Sequence, residues 1–254
     1  MSRTSKKLLT PVFCKTHETD APPKDVPVSY VLAGNGLFTH RRHRFFSSCV
    51  VSRDWPGELA DQKQYLRLNC PKLPQEEMER IVGFFSKIAK IHGSEAAVIL
   101  YWDARTERVC FKVPEQRATM TETWSGGSFP ADVHYETPLV DPELVLFGSV
   151  HSHVDGQAYS SHVDRADESH RTGLHIVVGR ISEEPPEFHC EYVVDGVRFR
   201  VDTKAVVEGY ERRRDTDIPD AWISRVKIEA KSYESHDFYY QDSYDRGRTR
   251  LRPS

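Results

Sequence analysis

One long segment of the chain places its apolar side chains at the period of an α-helix. In KLPQEEMERIVGFFSKIAKIHG, which covers residues 72–93, they fall on one face of a 3.6-residue repeat. Pro74 opens the segment and Gly93 closes it, and both residues favour those ends of a helix. The pattern therefore predicts an amphipathic helix whose buried face carries Met78, Ile81, Val82, Phe85, Ile88, Ala89 and Ile91.

Shorter apolar runs between turn residues predict β-strands on both sides of this helix. A small β unit is expected around Gly34-Asn35-Gly36, ahead of the helix. We interpret residues 123–142, which are rich in Gly and Pro, as a loop with one short strand near Val133 to Tyr135. The remaining strands are predicted in SEAAVILYWD, RVCFKVPEQ, LVLFGSVHSH, LHIVVGRI, EFHCEYVVDG and VRFRVD.

The same patterns divide the chain into four parts. Residues 1–27 have few apolar positions and read as a flexible N-terminal arm, and residues 28–72 as a small β-rich subdomain. Residues 73–209 contain the long helix and most strands, which predicts one mixed α+β domain. Residues 210–254 are strongly polar, so we expect one short helix near Pro219 to Val226 and partial disorder elsewhere.

Composition and charge narrow the possible roles only slightly. Of 254 residues, 38% are hydrophobic and 29% charged, and the net charge of −3 gives no indication of a nucleic-acid or membrane partner. No apolar run is long enough for a membrane span or a secretion signal, so we expect a cytoplasmic protein. The 5 cysteines are widely spaced and form no C-x-x-C pair, which favours reduced thiols over a cysteine-zinc site.

The candidate chemistry lies in GSVHSHVDGQAYSSHVDRADE, residues 148–168. His151 and His153 share one face at the end of a predicted strand, because side chains alternate along a strand. A hydrolytic zinc site needs three nitrogen or oxygen ligands and an open position for water, and Asp164 supplies a third ligand. Such a site also needs a base and an oxyanion donor, for which Glu95 and Ser161 are candidates.

Each of these residues also has an ordinary structural role open to it. A His-x-His pair on a strand is commonly only hydrogen-bonded. Ser161 followed three residues later by Asp164 is typical of a helix N-terminus, and Glu95 after a Gly-Ser pair is typical of a solvated loop. The combination is what favours a metal site.

The motif H-S-H, seven residues, S-H-V-D, with a glutamate at a helix-to-strand junction, resembles that of the JAMM/MPN zinc metalloproteases. The resemblance implies one Zn²⁺ held by His151, His153 and Asp164, with Glu95 as general base on the zinc-bound water and Ser161 stabilising the tetrahedral intermediate. It covers residues 73–201 and implies a curved, mostly antiparallel sheet packed by helices. Val154 stands where the family usually has proline.

The segment DRADESHRTGLHIVVG is similar to bacterial stand-alone members, some of which are encoded beside ubiquitin-like proteins. That resemblance implies hydrolysis of a peptide or isopeptide bond at the C-terminal tail of a ubiquitin-like protein. Residues 116–135 are the candidates for contact with the tail, because their Gly and Pro content is typical of a movable flap. Two alternatives stay open: a non-catalytic MPN-type scaffold, and a hydrolase of a small aminoacyl adduct on a carrier protein. The sequence does not indicate the oligomeric state.

Overall fold

The computed structural model describes residues 10–22, 24–57, 59–122, 127–138 and 140–232. The chain divides into two compact units, Met1–Leu66 and Arg67–Ser254. The expectations for residues 1–9 and 233–254 lie outside the described residues. None of the helices in the described part of the chain is long and apolar enough to cross a membrane.

The first unit is a four-stranded sheet in the order β1-β2-β3-β4. Its strands are β1 (Val12–Cys14), β2 (Val28–Ala33), β3 (Gly36–His43) and β4 (Phe46–Val51). β1 runs parallel to β2 although the composition predicts a flexible arm there. Backbone hydrogen bonds can pair a strand even where its apolar side chains follow no regular period. The hydrophobic pattern therefore does not reveal β1.

The described residues of the second unit form the long helix and nine strands, together with shorter helical segments. Its helix α1 follows Pro74 and ends at Gly93, whose φ of 67° and N–H bond to the Ala89 carbonyl are a left-handed C-cap. In chain order, its elements are α1 (Gln75–His92), β5 (Ala97–Asp103), β6 (Arg108–Lys112), β7 (Gln116–Glu122), β8 (Ser128–Tyr135), β9 (Leu144–Ser152), α2 (His162–Glu168), β10 (Gly173–Gly179), β11 (Glu187–Val194), β12 (Val197–Val201), α3 (Thr203–Val206), a 3₁₀ turn (Asp215–Asp217), α4 (Asp220–Ile223) and β13 (Val226–Ser232).

Six of these strands form one sheet in the order β12-β11-β10-β9-β5-β6. Only β9 and β10 are parallel neighbours, because helix α2 connects them; the other pairs are antiparallel. The prediction of a mixed α+β fold with a mostly antiparallel sheet is therefore confirmed.

The two faces of this sheet differ in character. Val98, Val150 and Ile176 occupy one face and are fully buried in the core that α1 covers. His151 and His175 belong to the opposite face, since they lie at the alternate positions of the same strands. Burial of both faces explains why β10 reads as a continuous apolar run.

A second sheet in this unit contains three strands, in the order β13-β7-β8. β8 spans Ser128–Tyr135, so the short strand expected near Val133 is longer than the prediction. Its pairing with β7 shifts between Thr119 and Met120, which leaves Ala131 as a bulge. β13 pairs in parallel with β7 and was not indicated by the polar sequence of the C-terminal segment.

The C-terminal segment packs on α1 and is anchored by arginines. The Arg214 guanidinium lies 2.8 Å from the Glu79 carboxylate, and Trp222 packs edge-on against Phe84 at 6.2 Å. This cover buries Phe84 completely, whereas Ile91, expected on the buried face, is 53% exposed. The helix therefore buries a face shifted toward Phe84, because it is enclosed on a second side.

We predict that Glu79→Ala destabilises the protein by about 2 kcal/mol, since it removes a buried charged acceptor. The Glu79 carboxylate accepts hydrogen bonds from Gln75, from the Glu211 backbone and from Arg214. The matched control is Glu76→Ala on the same helix, where the ion pair with Arg108 is exposed, and its expected cost is below ~0.5 kcal/mol. Urea denaturation measures the free energy of unfolding of both variants. Equal losses would contradict the conclusion that Glu79 stabilises the protein as a buried acceptor.

Candidate metal centre

The two histidines of the motif lie at the end of β9, where the strand leaves the sheet. His151 pairs with Ala97 of β5 and is buried, with 5% exposure. The His153 backbone N–H donates to the Val178 carbonyl at 2.9 Å, which extends the contact with β10 by one residue beyond the end of β9. Both imidazoles therefore project to the same side, with their ring centroids 5.2 Å apart.

Asp164 reaches the imidazoles from the first turn of α2. The Ser161 N–H donates to its Oδ2 at 2.7 Å, and the Asp164 N–H donates to the Ser161 Oγ at 3.1 Å. This reciprocal pair is a capping box, and it fixes the rotamer of both side chains. The helix-cap interpretation and the metal-ligand interpretation of these two residues are thus compatible, because the cap orients the carboxylate.

The three side chains fit a tetrahedral zinc ion. Ligands about 2.0–2.1 Å from a tetrahedral zinc lie roughly 3.3 Å from one another. Here the Nε2 atoms of His151 and His153 are 3.3 Å apart, the Asp164 Oδ1 lies 3.3 Å from the His151 Nε2, and the Asp164 Oδ2 lies 3.6 Å from the His153 Nε2. The His153 Nδ1 donates to the Gln157 carbonyl at 3.1 Å, so in the neutral ring Nε2 is free to ligate.

The electrostatics of this cluster favour a bound cation. Burial penalises the Asp164 carboxylate, but the adjacent imidazoles of His151 and His153 outweigh this penalty and hold its pKa far below the usual range. Burial likewise disfavours the charged form of His151, yet the Asp164 carboxylate raises its pKa. A negative charge is thus held among nitrogen donors, where a divalent ion would take the place of the protons.

Glu95 lies next to this cluster, at the junction between α1 and β5. The adjoining residue is tied to the motif strand, because the Ala96 N–H donates to the Ser152 Oγ at 3.2 Å and the Ser152 N–H to the Ala96 carbonyl at 3.0 Å. Burial raises the pKa of Glu95, an effect reduced by the nearby imidazoles of His151 and His153. A carboxylate of raised pKa is suited to accept a proton.

A cavity of about 420 Å³ joins these groups. One wall comes from the bulge of β8, and the ring of Tyr159 stands edge-on to His153 at 5.1 Å. The cavity is lined by Glu95, Pro130, Ala131, Asp132, His153, Val154, Asp155, Gly156, Tyr159, Ser161, Val163 and Asp164. The predicted base, oxyanion donor and two of the three predicted ligands therefore face one space.

Two further histidines of the region stay outside the cluster. His162 is exposed. His175 is buried with both ring nitrogens occupied: Nδ1 lies 2.9 Å from the Ser149 Oγ, and Nε2 donates to the Arg171 carbonyl at 2.9 Å. It has no nitrogen left for a metal.

Sequence reasoning missed a glutamine that supports Glu95. The Gln116 side chain is 2% exposed; its Oε1 accepts the Ala97 N–H at 2.7 Å and its Nε2 donates to the Ala97 carbonyl at 3.0 Å. These two bonds fix the first residue of β5, two residues after Glu95. The sequence offers no signal for this pairing, because a glutamine at a strand start is ordinary.

Val154, directly after the second histidine, has an unusual backbone conformation. Its φ is 49°, in the left-handed region that β-branched residues rarely adopt. The turn is held by the bond from Gly156 N–H to the His153 carbonyl at 2.8 Å and by that from Ile181 N–H to the Val154 carbonyl at 2.8 Å. Proline cannot adopt this φ, so the loop departs here from the one a proline would form.

One family model matches the part of the chain that carries these residues. The family model described as prokaryotic homologs of the JAB domain matches residues 78–192, which include Glu95 and the whole motif. No curated protein shows significant similarity to the chain.

Two solved structures are similar over about half of the chain. A JAB1/MPN domain protein from Archaeoglobus fulgidus is 18% identical, covers 53% of this chain and 97% of its own, and has a TM-score of 0.29. A protein from Salinibacter ruber is 15% identical, covers 58% of this chain and 94% of its own, and has a TM-score of 0.28. TM-scores this low support no residue-level correspondence.

We predict that Val154→Pro lowers the free energy of unfolding by about 2 kcal/mol, although proline is the residue usual in the JAMM motif, because its ring fixes φ near −65°. The control is Val154→Gly, which accepts a φ of 49° and is expected to leave stability unchanged or raise it by up to ~1 kcal/mol. Thermal or urea unfolding measures both. A proline variant as stable as the wild type would show that the loop has another conformation.

Proposed function

We propose that the protein is a zinc-dependent peptidase or isopeptidase, because residues 78–192 match the family model of prokaryotic homologs of the JAB domain. The observation that carries this proposal is the set of donor distances of 3.3–3.6 Å among His151, His153 and Asp164, with Glu95 on the same cavity. A scaffold has no need to keep all of these groups in one place.

His151, His153 and Asp164 would hold the zinc ion, and Glu95 and Ser161 would act on the reactants. Zinc supplies Lewis acidity there and lowers the pKa of a water molecule to about 7. Glu95 takes the proton from the attacking water and delivers it to the leaving amine, so the peptide bond is broken with no net change in the enzyme. The Ser161 Oγ already accepts the Asp164 N–H, so its own hydrogen is available to the carbonyl oxygen as negative charge develops.

The proposed substrate is the C-terminal tail of a ubiquitin-like protein, joined to a lysine, a peptide or a single amino acid. β8 is the edge of its sheet, paired with β7 on one side only, and its residues Pro130, Ala131 and Asp132 line the cavity. An extended tail adds most simply as a further strand at such an edge. Ala131, which bulges from the pairing with β7, lines the same cavity as Glu95, so a tail at this edge would lie beside the proposed base.

We predict that the purified wild-type protein holds about one zinc ion per chain and that Asp164→Ala loses it, since the three-ligand set is broken. The matched control is Asp167→Ala, an exposed aspartate of the same helix that pairs with Arg171 instead of the imidazoles, which should keep full zinc content. Zinc is measured by mass spectrometry after dialysis. Zinc-free wild-type protein that still binds a partner would favour a non-catalytic scaffold.

We further predict that Glu95→Gln keeps zinc but loses activity by at least ~10²-fold, because the amide cannot accept the proton. The assay uses a panel of ubiquitin-like proteins extended by a peptide, by an isopeptide-linked lysine or by one amino acid, with and without a chelator. The control, Glu115→Gln, replaces an exposed glutamate, and its turnover should stay unchanged. Undiminished cleavage by Glu95→Gln would remove Glu95 from the mechanism, and cleavage of the single-residue extension alone would favour the aminoacyl alternative.

A further inference from the structure

The sheet face that meets α2 carries a row of buried polar side chains. Four adjacent strands contribute one residue each: Ser149 from β9, His175 from β10, Glu191 from β11 and Arg198 from β12. The first three are at most 8% exposed, and the Arg198 side chain is 15% exposed. Polar groups are costly on a buried face, so a row of four must be offset by the contacts that it makes.

Arg198 joins α2 to the sheet through three acceptors. Its Nη1 lies 2.9 Å from the Glu168 carboxylate, at the end of the helix, and 2.9 Å from the Glu191 carboxylate. Its Nη2 donates to the backbone carbonyl of Asp164 at 3.2 Å. A single guanidinium thus holds both the residue that offers a metal ligand and the last residue of the same helix.

Glu191 extends this arrangement to the loop that precedes α2. The Ser160 Oγ donates to its Oε2 at 2.7 Å, and the His189 Nε2 lies 3.1 Å from its Oε1. Ser160 is 6% exposed and directly precedes the capping Ser161. The Arg198–Glu191 pair therefore fixes the chain at Ser160, just before the capping box, and at Asp164, its last residue.

The contacts of this polar row argue against two other roles, a second catalytic centre and stabilisation alone. A nucleophile triad of Ser149, His175 and Glu168 would need the serine and the acid on opposite ring nitrogens, but both lie against Nδ1, at 2.9 and 3.3 Å. Stability alone is also a weak reason, because replacing a buried ion pair by apolar side chains is often neutral or stabilising. The hydrogen bonds and ion pairs of Arg198 and Glu191 are directional, so they can fix α2 in one position on the sheet.

We propose that Arg198 is a positioning residue, which holds α2 and the Ser160–Asp164 segment so that the Asp164 carboxylate meets the two imidazoles. This inference rests on the proposed metal site. It assigns a function to a residue of β12 that lies outside the motif and does not line the cavity.

The test compares Arg198→Lys with Arg200→Lys, an exposed arginine of the same strand and face. Lysine keeps the charge but cannot serve the carboxylates and the Asp164 carbonyl together in one planar fork. Zinc affinity is measured by competition with a chromophoric chelator, the geometry by the visible absorption of the Co²⁺ form, and the stability of the metal-free protein by its melting temperature. Arg198→Lys should bind zinc roughly 10- to 100-fold more weakly with an altered Co²⁺ spectrum, and Arg200→Lys should match the wild type.

A folded Arg198→Lys protein with unchanged zinc affinity and an unchanged Co²⁺ spectrum would overturn the proposal. A lower melting temperature alone would not support it, because a purely structural role changes only that temperature. If this variant does not fold, Ser160→Ala decides, since it deletes one hydroxyl and leaves the ion pairs in place; a zinc affinity equal to that of the wild type would overturn the proposal. Absence of zinc binding by the wild type would instead refute the metal site itself.

Discussion

The reciprocal hydrogen bonds between Ser161 and Asp164 are the interaction on which the site depends. They satisfy two backbone N–H groups at the start of α2 and hold the aspartate rotamer at the same time. If this cap were absent, the carboxylate would be free to turn into solvent, and β9 would present two histidines without a third donor. A local rule of helix formation therefore determines the geometry of the proposed metal centre.

The rest of the unit supports this cap from both faces of the large sheet. The apolar face packs on α1 and gives β9 a rigid base, while the polar face carries His151 and the contacts of Arg198 and Glu191. Ser152 and Gln116 fix the chain that bears Glu95 relative to β9. Precision at the cavity thus comes from strands and from the start of a helix, which place side chains more accurately than a free loop does.

The features that the sequence predicted are those whose physical cause is local. Helix α1 and the strands of the large sheet follow from hydrophobic period and turn residues, and the ligand candidates follow from close spacing in one segment. The missed features depend on partners far along the chain. β13 is polar and forms through pairing with β7. Arg213, in the strongly polar C-terminal segment, donates to the Ile181 carbonyl and contacts Glu184. Phe84, which is not among the residues of the predicted buried face, is fully buried where the distant Trp222 covers α1, and Ile91 of that face is exposed.

X-ray absorption at the zinc edge of the purified protein tests the central claim most directly, since it reads the donor atoms of the bound ion. A site built from His151, His153 and Asp164 predicts a first shell of nitrogen and oxygen only, at about 2.0–2.1 Å, with outer scattering from two imidazoles. Sulfur scattering at about 2.3 Å would place the ion on cysteines, and a shell without imidazole would place it elsewhere on the surface. Either result would contradict the account.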